Sequence, residues 1–119
     1  MQFRIECDRD RVLILLPSGT RDFALQSDQA ERFAENLDTT ADWCAAWVSI
    51  GGGRELWVGP HRGADVKAYA GKVCVRLDTP TACESIPFED ARKLARLVRR
   101  WLPAARQQSA DRPVLAGVP

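Results

Sequence analysis

Four cysteines and one histidine are the residues of this 119-residue chain with the most chemistry to offer, as nucleophiles, metal ligands or a proton-transferring imidazole. Their spacing removes most of it. Cys7, Cys44, Cys74 and Cys83 form no C-x-x-C pair and lie in apolar or strand-like surroundings, and His61 stands in GPHRG with no cysteine close in sequence. Zinc needs ligands at knuckle spacing, so no metal is expected and the cysteines read as buried reduced thiols. A serine or cysteine nucleophile would need a base that one loop histidine does not obviously supply. Gly51, Gly52 and Gly53 ahead of Arg54 suggest an anion nest, yet no Lys-Ser or Lys-Thr follows and no G-x-G-x-x-G spacing is present, so they read as a loop. The carboxylates fall on solvated faces or turns, as Asp8 and Asp10 do. The expectation is a protein that is not an enzyme and uses no cofactor.

Charge is the more informative pattern. Residues 1 to 47 hold five Arg and nine acids, whereas residues 48 to 119 hold twelve Lys or Arg and seven acids, so a formal net charge of +1 conceals a dipolar chain. Arg92, Lys93, Arg96, Arg99 and Arg100 form a basic face at helical spacing; Glu31, Glu35 and Asp38 form an acidic one. Equivalent faces of opposite sign suggest that the acidic helix of one copy meets the basic helix of another, closing a homodimer if the contact is reciprocal. Exposed ion pairs contribute only about 0 to 1 kcal/mol each, so an apolar anchor is required. The four tryptophans are the candidates, Trp101 beside the buried stripe of the second helix and Trp43, Trp47 and Trp57 around the central run, with Trp47 and Trp57 taken as the contact residues.

The elements that would position these residues repeat. Residues 12 to 41 and 73 to 102 align without a gap at a constant shift of 61, pairing Val12 with Val73, Ile14 with Val75, Leu25 with Ile86, Ala30 with Ala91, Phe33 with Leu94, Ala34 with Ala95 and Leu37 with Val98. Only five of the thirty pairs are identical, so the periodic agreement carries the inference of an internal duplication. Each unit reads as three strands and a helix. Phe3–Cys7, Arg11–Leu16 and Asp22–Gln26 precede a helix N-capped by Ser27; Val66–Tyr69, Lys72–Leu77 and Cys83–Phe88 precede one that starts near Glu89 and stops around Pro103. The run WCAAWVSIGGGRELWVGP reads as a hairpin looped at Gly51 to Arg54, with a first helix extended to Trp47 as the competing reading.

The expected fold is therefore α+β, two degenerate strand-strand-strand-helix repeats (about 1–42 and 62–104) joined by a central hairpin (about 43–61), with a flexible tail over 105–119. At this length the repeats must share one core. Several strands followed by one helix resembles, in layout, the single-stranded nucleic-acid binders of the PUR and whirly type, which implies nucleic-acid binding through the sheet and the basic helix as the alternative function. The first function is a protein-binding or self-associating module. The acidic first half would repel a long phosphate backbone, which favours a protein partner or a second copy. With no long apolar run and no charged-then-apolar leader pattern, a cytoplasmic protein that does not span a membrane is expected.

Overall fold

The computed structural model describes residues 3–9, 11–15, 23–51, 56–61, 64–69, 71–77 and 83–116. Strands β1 (Arg4–Asp8), β2 (Arg11–Leu15) and β3 (Phe23–Gln26) lead into helix α1 (Ser27–Ser49). Strands β4 (Leu56–His61), β5 (Ala64–Tyr69), β6 (Lys72–Leu77) and β7 (Cys83–Pro87) lead into α2 (Phe88–Ala116). The strands form two antiparallel sheets, β1-β2-β3 and β4-β5-β6-β7.

The repeat holds in register, residue for residue. Ile5 opposite Ile14 in the first unit corresponds to Val66 opposite Val75 in the second, and Val12 opposite Leu25 to Val73 opposite Ile86. A slip of one residue would turn every inward side chain outward, so matching registers are a strict criterion. The helices begin at Ser27 and Phe88, again 61 apart, and the seven apolar pairs named above, from Val12 with Val73 to Leu37 with Val98, are fully buried. One cluster holds these residues. The units interlock around it, since α1 lies mainly on β4, β5 and β6 of the second unit and α2 mainly on β1 and β2 of the first.

Three expectations need correction. The central hairpin is absent: residues 43–49 continue α1, and β4 pairs instead with β5. Ala41 and Cys44 extend the buried stripe at helical spacing, and Ala45 and Ala46 are strong helix formers, which together outweigh the poor propensity of Thr39 and Thr40. Gly51, at φ 72, then ends the helix in the left-handed conformation that glycine tolerates. Second, α2 runs through Pro103 to Ala116 rather than stopping, because Leu102 and Ala105 remain buried and Arg106 pairs with Glu31 on α1. Such contacts offset an interior proline penalty of about 3 kcal/mol. Third, the N-cap of α1 is Gln26, whose backbone N–H donates to Gln29 Oε1 at 3.2 Å, rather than Ser27. Residues 52–54, the rest of the expected loop, lie outside the described residues, as do Glu55, 117–119 and the side chains of 108–116.

Thr40 is fully buried in this core, and its hydroxyl has no hydrogen-bond partner among the described residues. Replacing an unsatisfied hydroxyl by a methyl of similar shape removes a desolvation penalty of about 1–3 kcal/mol. Thr40→Val should therefore raise the unfolding free energy by about 1 kcal/mol or more in a urea titration; a loss of stability would mean that the hydroxyl is satisfied in solution.

Candidate interaction surface

The two helices lie side by side and antiparallel, and their opposite charges meet within the chain. Asp42 pairs with Arg92 at 2.7 Å, Asp38 with Arg99 and Glu31 with Arg106, the numbers falling on α1 as they rise on α2. Asp38 and Arg99 are also equivalent positions of the repeat. In a pseudo-twofold arrangement, equivalent residues that touch must lie at the axis, so this pair marks it. In a dimer of identical chains the same position would face itself and bring like charges together; fusion of the two units permits a carboxylate and a guanidinium there.

The charge split thus closes an intramolecular seam, and most of the residues assigned to an intermolecular contact are engaged in it. Arg92, Arg99, Glu31 and Asp38 form its rungs, while Lys93 stands 3.9 Å from Asp90 on its own helix. Only Glu35, Arg96 and Arg100 of the two faces are exposed without an ion pair among the described residues. The rungs are partly exposed, so each contributes about 0 to 1 kcal/mol and serves mainly to set helix direction and register.

Among the tryptophans the exposed ones differ from those expected. Trp47 is half-buried, with its indole Nε1 enclosed and unbonded among the described residues, and the side chain of Trp57 lies outside them. Trp43 is 52% exposed, Val48 50% and Ile50 76%, all on the last two turns of α1 or its cap, and Trp101 on α2 is 38% exposed. Trp43, Ala46 and Ile50 follow at spacings of three and four, which places them on one face. The signal was present in the sequence, but reading this stretch as a hairpin strand scattered it over two faces.

What holds that end of α1 is the β5–β6 hairpin. Cys44 Sγ donates to Lys72 O at 3.2 Å, and Val48 stands against Gly71, where the chain takes a positive φ of 78°. Burial of Cys44 pushes its thiol pKa up, leaving a poor nucleophile. Cys7 is a half-buried thiol outside any disulfide. Cys74, by contrast, is disulfide-bonded, which corrects the expectation of four reduced thiols. Strand pairing sets it opposite Ser85 on the outer face of the second sheet; the Cys83 side chain lies outside the described residues. Alkylation should therefore modify Cys7 first, Cys44 only on unfolding and Cys74 only after reduction, as peptide mapping by mass spectrometry would show.

Among the described residues no group of three His, Cys, Asp or Glu side chains is placed to hold a metal ion, and no helix is long and apolar enough to cross a membrane. No protein-family model, curated protein or solved structure matches the chain.

Proposed function

We propose that this protein is a non-catalytic protein-binding module, with the apolar end of α1 as its contact surface. The exposure of Trp43 and Ile50 on one face of the last turns of a well-packed helix supports this reading. Large apolar side chains gathered in one exposed place mark interaction sites more often than scattered ones do, and tryptophan at the centre of such a patch is the commonest kind of anchor. Electrostatics contributes less than the sequence suggested, because the helix charges are largely consumed in the seam. A photoreactive phenylalanine at position 43 should cross-link to a protein in cells, and Ile50→Asp on the same face should suppress that adduct more than tenfold. No adduct, or one indifferent to Ile50→Asp, would count against the reading.

The outer face of the second sheet favours nucleic acid as a second reading. Lys67, Lys72 and Arg76 share it with Tyr69, whose hydroxyl is 2.6 Å from Ser85 Oγ. Binding there would weaken steeply with salt and would be lost in Lys72→Glu, whereas a contact anchored by Trp43 would change little. A cytoplasmic location is the proposed one only if Cys74 is reduced in cells, since a persisting disulfide belongs to oxidising compartments.

A further inference from the structure

Among the described residues the two sheets differ by one strand, which leaves β1 as an edge strand of the first sheet. At the repeat shift of 61, β1 corresponds to β5, β2 to β6 and β3 to β7, but β4, which pairs with β5, has no counterpart beside β1 among the described residues. Burial differs accordingly. Val66, Ala68 and Ala64 on β5 are 0–3% exposed, whereas their equivalents are less covered, Ile5 at 8% and Cys7 and Phe3 only half-buried. The helix that would roof an added strand is in place: α1 packs on β4 as well as β5, and α2, which packs on β1, is 29 residues long against 23 for α1.

Other edges are blunted and this one is not. β4 carries a register irregularity between Trp57 and Gly59 and ends in Pro60 and His61, β7 ends at Pro87, and β3 has four residues. β1 runs five residues in unbroken register without proline.

We propose that the edge of β1 binds a second copy of this chain, β1 against β1 and antiparallel, so that the three-stranded sheets of two protomers become one. Backbone parity and charge select the same register. Asp8 lies opposite Arg11 with two residues between them and Arg9 at φ 60, so Asp8 and Arg11 form the hydrogen-bonded pair that closes a tight hairpin. Alternation then turns the backbone groups of Glu6 and Arg4 towards β2 and those of Ile5 away from it. A second β1 must therefore pair odd-numbered residues with odd-numbered ones. Centred on Ile5 opposite Ile5, that pairing sets Arg4 against Glu6 of the other copy, twice, with Phe3 against Cys7 on the helix-facing side. Moving the centre to the neighbouring allowed positions sets Arg4 against Arg4, or Glu6 against Glu6. Arg4 and Glu6 are exposed on the outer face, 3.3 Å apart within one strand, and available to a neighbour on that face.

Five residues of edge make a weak contact, with a dissociation constant expected on the order of 10 to 100 μM. The surface is separate from the apolar end of α1, so the two can fail independently. The test is sedimentation equilibrium with amide exchange on the full chain, from about 10 μM to about 1 mM. Dimerisation should slow exchange of the Ile5 amide as concentration rises, while the Glu6 amide, directed at β2, stays protected throughout. Arg4→Glu and Glu6→Arg should each weaken the dimer at least tenfold, and the two together should restore it to within a few-fold of the parent. A monomer at the highest concentration overturns the proposal. A dimer that leaves Ile5 exchange unchanged, or that ignores the charge reversals, overturns it too while leaving the α1 surface as a site of association.

Discussion

Phe33→Ala is expected to destabilise the protein by about 3–5 kcal/mol, out of a total of about 5–15 kcal/mol for a domain of ordinary stability. The side chain is fully buried on α1, and deleting it opens a cavity in addition to losing apolar burial. The interlocked packing makes the consequence global. Phe33 belongs to the first unit by sequence, but its helix lies mainly on the second sheet, so amides at Val66 and Val75 should lose protection together with those at Val12 and Ile14. Leu94→Ala, at the equivalent position, should behave the same way at about 2–5 kcal/mol. Hydrogen exchange is the measurement. Retained protection of one sheet while the other opens would show two separable units and contradict the shared core.

The sequence made the repeat legible because burial is periodic in both sheets and helices, and periodicity survives where identity does not. Val12 with Val73 and Ile14 with Val75 alternate on strands; Ala30, Phe33, Ala34 and Leu37 recur at helical spacing with their partners. Boundaries were less legible where local preference and tertiary packing disagreed. Thr39 and Thr40 disfavour a helix locally, yet Thr40, Ala41 and Cys44 all lie on the buried face, and packing prevailed. Pro103 is an exposed position between buried Leu102 and Ala105, so its penalty was outweighed as well. The charge complementarity was visible, but its partner was not: a sequence cannot say whether Asp38 meets Arg99 of its own chain or of another. Antiparallel packing across a pseudo-twofold axis decides it. Trp43 could be recognised as exposed only once the stretch around it was seen to be helical.

That helical stretch can be tested at the contact which holds it. Gly71→Ala is expected to cost about 2–3 kcal/mol, from two sources that can be separated. At φ 78 an alanine carries a backbone penalty of about 1–2 kcal/mol that no neighbour can relieve. Its Cβ would also stand 2.9 Å from Val48 Cγ2, so one of them must shift. Val48→Ala alone should cost less than about 1 kcal/mol, since Val48 is 50% exposed. In the double variant the clash is gone while the backbone penalty stays, and the two changes should couple by about 1 kcal/mol in a double-mutant cycle read by urea denaturation. Additive effects would mean that Val48 does not sit on the hairpin, as would hold if residues 43–50 formed a strand. The coupling bears on function as well as fold. Ile50 lies two residues beyond Val48, so strain that tilts this end of α1 moves the apolar face carrying Trp43, and partner binding should weaken in Gly71→Ala and recover in the double variant.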